Sequence, residues 1–192
     1  QEQGLAKLVS PSWIKYHLKP RAYYGHKGIY GKILHLTGCD YYRGAALLAS
    51  KASVYSGSGV VCVCSSEKVI DALAIVTPEC TSKLRNSKLE QELFYDRDAI
   101  LIGSGLGLNE QSEQYVIDTL QYANCPIVID ADGLTIAAKH LDLLKECPVP
   151  IILTPHFGEF KRLCAYDDEL DMIDKVGGFA RKYGVTVVLK GP

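Results

Sequence analysis

At 192 residues the chain has room for one well-buried core and too little length for two ordinary domains. With 47% hydrophobic residues, 22% charged residues and a formal net charge of -1, it presents no basic field for nucleic acid or a membrane surface. No apolar run nears the roughly 20 residues that a bilayer crossing needs.

Gln1-Glu2-Gln3-Gly4 lacks the basic and apolar regions of a secretory signal, and the first residue is not Met, so a start upstream is expected. Ser10 or Ser12 caps a short helix carrying Trp13, Ile14, Tyr16, His17 and Leu18. It must stop before Lys19-Pro20, because the residue ahead of proline avoids helical angles. Residues 1–20 are therefore expected to form an outlying arm.

Arg21 to Lys32 is a Gly- and Tyr-rich loop feeding the strand Ile33-Leu34-His35-Leu36-Thr37. Lys27 in that loop is either a solvated side chain or a phosphate contact. After Gly38 to Arg43 an alanine-rich helix runs from Gly44 through Tyr55 to a stop at Gly57. Its amino end offers unpaired N–H groups to an anionic or amide-rich ligand, or simply lets the helix approach the strand closely.

Gly59 to Cys64 reads as a buried strand. Cys62 and Cys64 face one side of it, where core packing is favoured over zinc because no second pair is in register. The seven scattered cysteines suit a reducing cytosol, and a cytoplasmic location is expected. Glu67 to Ile75 is helical, and the weak pattern from Val76 to Asp98 predicts irregular structure with a short strand or helix.

The second half alternates clearly. Strands are predicted at Ala99-Ile100-Leu101-Ile102, Ile127-Val128-Ile129, Ile151-Ile152-Leu153 and Val185 to Lys190. Between them fall a helix capped by Asn109 with Glu110 and Glu113 in its first turn, a short helix from Leu134 to His140, one from Phe157 to about Ala165, and one through Met172, Val176, Phe179 and Tyr183 ended by Gly184. Strands alternating with helices and lacking hairpin turns imply a parallel α/β sheet covered on both faces.

Ligands of such sheets sit beyond the carboxyl ends of the strands. Three segments fall on that rim. Gly103-Ser104-Gly105-Leu106-Gly107 has the wrong glycine spacing for a dinucleotide fingerprint but suits close backbone approach to a ligand. Asp130 and Asp132, two apart at a strand end, suit a hydrated magnesium ion or ligand hydroxyls, while Asp132 equally suits a helix cap. Thr154-Pro155-His156-Phe157-Gly158-Glu159 brings a histidine and a carboxylate to a strand-to-helix turn, and Lys190-Gly191 at a strand end suits a nucleotide.

Taken in order, His26-Lys27-Gly28-x-x-Gly31, Tyr42-x-Gly44-Ala45, Gly57-x-Gly59, Gly103-x-Gly105-Leu106-Gly107, Asp130-Ala131-Asp132-Gly133-Leu134, Thr154-Pro155-His156-x-Gly158-Glu159 and Val188-Leu189-Lys190-Gly191 resemble the ADP/ATP-dependent NAD(P)H-hydrate dehydratases. The resemblance runs from about Arg21 to the last residue. It implies a three-layer α/β/α ribokinase-like fold with a mainly parallel central sheet over residues 21–192, and repair of hydrated NADH or NADPH using ADP or ATP with Mg2+. It further implies substrate contacts from Ala45, Gly105, Gly107, Asp132 and His156, nucleotide contacts from Lys190 and Gly191, and a magnesium-organising role for Glu159. An NAD(P)H-hydrate epimerase as functional partner and a homo-oligomer are family expectations.

The family continues past its lysine-glycine strand to a Gly-rich segment ending in Gly-Asp, whose aspartate is the expected general base. This sequence ends at Pro192 before such a motif. The expectation is a domain partial at its carboxyl end, without a catalytic aspartate or turnover and with apolar surface exposed at the sheet edge. A ribokinase-like small-molecule kinase and an inactive ligand-binding module are the alternatives.

Overall fold

The computed structural model describes residues 8–18, 20–164 and 171–191. Seven parallel strands form its centre: β1 (Lys32–Leu36), β2 (Val60–Ser65), β3 (Thr81–Leu84), β4 (Ala99–Ile102), β5 (Ile127–Ile129), β6 (Ile151–Leu153) and β7 (Thr186–Val187). Their spatial order is β3-β2-β1-β4-β5-β6-β7. From β1 the chain winds outward through β2 to β3, then returns to lay β4 on the other side of β1 and winds the opposite way. The gap between the carboxyl ends of β1 and β4 is thus the topological switch point.

Eight α-helices lie among the described residues: α1 (Pro11–His17), α2 (Arg43–Tyr55), α3 (Glu67–Val76), α4 (Glu110–Tyr122), α5 (Asp132–Ala137), α6 (Leu141–Glu146), α7 (Phe157–Leu163) and α8 (Met172–Tyr183). Register assigns the sheet's two faces. Leu34, Cys62, Ile100, Ile127 and Ile151 align across neighbouring strands, as do Leu36, Ile102, Ile129 and Leu153. These residues join the main core, to which α4 to α8 contribute Val116, Leu120, Leu134, Ile136, Leu144, Phe160, Leu163 and Phe179. On the opposite face Val61 and Val63 pack with Leu47, Val54 and Leu73 from α2 and α3.

Full coverage of both faces was expected, and the structure corrects this. Leu101, Val128 and Ile152, aligned on the α2/α3 face of β4 to β6, are only half-buried, and no buried cluster forms over them among the described residues.

Local rules account for most element ends. Asn109 Oδ1 accepts the Ser112 N–H at 2.8 Å and starts α4, and Gly184 adopts φ 67° and ends α8. Ser10, not Ser12, caps α1, and this helix buries none of its residues. Cys62 and Cys64 are both core residues, and burial pushes the Cys64 thiol up to about 11, as for an inert packing cysteine. Cys39, Cys62, Cys64, Cys80, Cys125 and Cys147 are free thiols.

Three boundaries depart from expectation. The helix expected over Leu134 to His140 is α5, which already begins at Asp132, and α6 follows it unforeseen. The helix from Phe157 ends at Leu163, and Ala165 lies outside the described residues. The strand expected from Val185 to Lys190 is paired as β7 only at Thr186–Val187. Beyond it, Val188 and Lys190 still donate to the carbonyls of Leu153 and Pro155, each at 2.8 Å, but Pro155 has no N–H with which to continue a full ladder. The weak stretch from Val76 to Asp98 holds the exposed edge strand β3 and a single 3-10 turn at Gln91–Phe94. Among the described residues no helix is long and apolar enough to cross a membrane.

Candidate functional site

At the switch point the two strand ends are tied together. Gly38 N–H donates to the Ser104 carbonyl at 2.9 Å, and Gly103 N–H to the Leu36 carbonyl at 3.2 Å. Arg85, from the end of β3, donates through Nη2 to the Gly38 carbonyl at 2.9 Å and lies over the Tyr115 ring. Nothing in the weak pattern around Arg85 marked it for this role. The amino end of α2 opens beside this junction, and its cap residue Tyr42 makes no side-chain cap bond, leaving backbone N–H groups for another acceptor.

The glycines of the 103–107 loop serve different ends. A Cβ on Gly103 would lie 2.0 Å from the Asp130 carbonyl oxygen, so this glycine lets the β4 and β5 ends approach each other. The open side of Gly105 is filled by Ala45 and Tyr42, 2.7 and 2.9 Å from where its Cβ would be. Ala45 and Gly105, both predicted site residues, are therefore in mutual contact. Gly107 is less crowded, with only Ser112 Oγ near, 3.6 Å from where its Cβ would be. Its N–H donates to Asp132 Oδ2 at 2.9 Å, which sets its orientation.

Asp132 is the first residue of α5 and not its cap. That position belongs to Ala131, at φ 50° and ψ -118°, a conformation costly for a residue with a Cβ. The strained residue separates two carboxylates and turns them to different partners. Asp130 Oδ1 accepts from Lys190 Nζ at 2.9 Å and Thr154 Oγ1 at 2.8 Å, and Oδ2 accepts from Ser104 Oγ at 3.1 Å. Burial pushes the Asp130 pKa up, but the hydrogen bonds from Lys190, Thr154 and Ser104 and the Lys190 charge outweigh it, holding the carboxyl below its ordinary range.

His156 and Glu159 close the rim. His156 caps α7, its Nδ1 accepting from the N–H groups of Gly158 and Glu159 at 3.0 and 3.4 Å, while Glu159 Oε2 accepts the His156 N–H at 2.8 Å. Because Nδ1 must be the acceptor, Nε2 carries the hydrogen. It lies 3.5 Å from Glu159 Oε1. Lys190 Nζ is 3.8 Å from Glu159 Oε2, and Gly191 beyond it is exposed with open space around it.

A family model described as NAD(P)H-hydrate dehydratase matches residues 33–192. The chain belongs to the NAD(P)H-hydrate dehydratase family. The ADP-dependent (S)-NAD(P)H-hydrate dehydratase of Bacillus subtilis is 35% identical over 195 residues, covering 94% of this chain and 67% of that protein. The bifunctional NAD(P)H-hydrate repair enzyme Nnr of Thermofilum pendens is 33% identical over 188 residues, covering 91% of this chain and 36% of the relative. The chain thus spans about two-thirds of a single-function relative and just over a third of a bifunctional one. A crystal structure of the Bacillus subtilis ADP/ATP-dependent NAD(P)H-hydrate dehydratase, co-crystallised with ATP/Mg2+, superposes with a TM-score of 0.81 at 33% identity, covering 95% of this chain and 66% of that one. The ribokinase-like architecture expected from the sequence is therefore the fold of this NAD(P)H-hydrate dehydratase family member.

Among the described residues no group of three or more His, Cys, Asp or Glu side chains forms a metal cage. Magnesium in nucleotide sites needs none, since one or two carboxylates complete its shell with phosphate oxygens and water. Glu159 fits that need. It is buried at the rim, and its Oε1 makes only the long contact to His156. Asp130 fits less well, because both of its oxygens accept from protein donors, while Asp132 has Oδ2 on the Gly107 N–H.

Proposed function

We propose that this rim binds hydrated NADH or NADPH beside a magnesium-bound ADP or ATP and serves nucleotide-dependent dehydration of the S epimer. The observation carrying this reading is the convergence of Gly107, His156, Glu159 and Lys190 at the strand ends of a chain belonging to this family. His156 offers an Nε2–H to a carboxamide or hydroxyl oxygen of the hydrated nicotinamide. Gly107, its N–H held by Asp132, offers its side-chain-free Cα to the same ligand. Asp132 acts by holding Gly107, while Ala45 and Gly105 form the packed wall where α2 meets the loop.

Lys190 and Gly191 begin the nucleotide site, the ammonium meeting phosphate charge and the glycine giving backbone access. Magnesium, where bound, neutralises charge on the transferring phosphoryl group, and Glu159 is the residue that would hold it. In the reaction the substrate hydroxyl loses its proton to solvent as its oxygen bonds to the terminal phosphorus, and the phosphoanhydride bond breaks with its electron pair on the departing AMP or ADP. The C–O bond then breaks with its electron pair leaving on phosphate, and the adjacent carbon yields its proton to restore the nicotinamide C5–C6 double bond.

The test combines this chain, Mg2+, ADP or ATP, and hydrated NADH. Protection against thermal unfolding by nucleotide and by hydrate separately is expected, and recovery of NADH absorbance with stoichiometric phosphate would overturn the expectation of a chain without turnover. A phosphorylated hydrate that accumulates without elimination would replace this reading with a small-molecule kinase. Absence of protection by either ligand would remove it.

A further inference from the structure

One carboxylate gathers three strand ends. The donors on Asp130 come from Ser104 after β4, Thr154 after β6, and Lys190, whose backbone bridges to His156 beyond β7. Side-chain exposure is 25% for Asp130 and 45% for Lys190, so this ion pair is partly solvated and adds little to stability. Three protein donors on a pair of so little stabilising value need another reason.

The geometry of Lys190 supplies one. A lysine stem at a strand end samples many rotamers, and a ligand that must immobilise it loses affinity in doing so. Asp130 fixes it beforehand. An ammonium has three hydrogens, and the bond to Asp130 uses one of them. Glu159 Oε2, 3.8 Å away, lies beyond hydrogen-bond distance, so the remaining donors stay free on the exposed side of the group. The other two donors on Asp130 have no exposed counterpart. Thr154 and Ser104 hold the carboxylate itself, one from each neighbouring strand.

We infer that Asp130 is the positioning residue of the nucleotide half of the site. It holds the Lys190 ammonium ready for a phosphate and, through Ser104, links that cation to the 103–107 loop. This rests on the reading of Lys190 as a nucleotide contact. Asp130 thereby acts through protein donors on both oxygens and not as a magnesium ligand.

The experiment is a double-mutant cycle on MgADP affinity, measured by calorimetry on the full 192-residue chain for wild type, Asp130→Asn, Lys190→Met and the double variant. Each single substitution is expected to weaken binding about tenfold, and the double variant no more than Lys190→Met alone. Wild-type affinity in Asp130→Asn, or losses that multiply to about a hundredfold in the double variant, would overturn the inference. If circular dichroism shows Asp130→Asn unfolded, Thr154→Val takes its place. It removes one support of Asp130 without altering charge, and about a threefold loss is expected from it, while unchanged affinity counts against the inference. Wild-type chain that binds no MgADP would remove the nucleotide reading and this inference together. MgADP binding that is indifferent to Asp130 removes the inference alone.

Discussion

His156 and Glu159 satisfy each other across the first turn of α7. The imidazole Nδ1 accepts the Glu159 N–H at 3.4 Å and the carboxylate Oε2 accepts the His156 N–H at 2.8 Å, a reciprocal capping box with histidine in the place usually held by serine or threonine. The same ring thus starts a helix and presents Nε2–H at the rim. The two duties separate by mutation. His156→Ala is expected to cost about 1 kcal/mol of stability, the usual loss of an N-cap. His156→Asn should retain most of that stability, since an asparagine Oδ1 caps well, yet lose the outward N–H. Urea denaturation and thermal protection by hydrated NADH distinguish them: Asn restores the first and not the second.

Gly103 is the tightest backbone approach at the site. It has φ 117°, and a methyl group there would sit 2.0 Å from the Asp130 carbonyl oxygen and 2.6 Å from the Gly133 nitrogen. Neither atom can give way, because Gly133 N–H itself donates to the Asp130 carbonyl at 3.0 Å. Gly103→Ala therefore combines overpacking with an unfavourable backbone conformation, for a loss of about 3 kcal/mol. Gly191→Ala is the control, since nothing lies near its position, and its urea midpoint should match wild type.

Much of this was legible in the sequence because the second half of the chain follows local rules. Ile100, Ile127, Ile129 and Leu153 sit in short apolar runs that read directly as buried strands, and Asn109 and Gly184 act within a few residues of themselves. What escaped depends on distant atoms. β3 is a fully exposed edge strand with no apolar alternation, so only pairing with β2 identifies it. The partners of Gly103 and Gly105 are backbone and side-chain atoms from other loops, which is why both glycines read as ligand-facing when protein fills the space beside them. Ser104 and Thr154 stood inside recognised motifs, but their shared acceptor, Asp130, becomes visible only when β4, β5 and β6 lie side by side.

Asp132 offers a sharper test of the loop. Its carboxylate holds the Gly107 N–H, and Gly107 is the least crowded glycine of the loop, with only Ser112 Oγ 3.6 Å from its Cβ position. Asp132→Ala frees that N–H and lets the loop reorient. Affinity for hydrated NADH should fall about tenfold, equivalent to one well-made charge-assisted hydrogen bond. Affinity for MgADP should hold, because Lys190 is anchored through Asp130. Equal loss of both ligands in calorimetry would mean that Asp132 supports the whole rim and not the substrate half.

His35 sets the acid limit of the fold. It lies on β1 facing α2, fully buried, with Nε2 3.0 Å from Ser53 Oγ and, among the described residues, no hydrogen-bond partner for Nδ1. Burial lowers its pKa to about 4 from an ordinary 6.5. The folded state therefore keeps the ring neutral where the unfolded chain would protonate it, so between those values the unfolded state binds more protons. Stability is fully present above pH 6.5 and falls as the pH drops toward 4. The loss across that window is about 3 kcal/mol. Asp130, with its lowered pKa, contributes stability that is lost only as the pH drops further and its carboxylate protonates, so the two effects occupy different ranges. Replacing His35 by leucine removes the titrating group at the expense of the Ser53 contact. Urea unfolding of wild type from pH 7 to 4 should show the decline, and His35→Leu should flatten it. An equally steep profile in the variant would assign the acid sensitivity to the carboxylates instead.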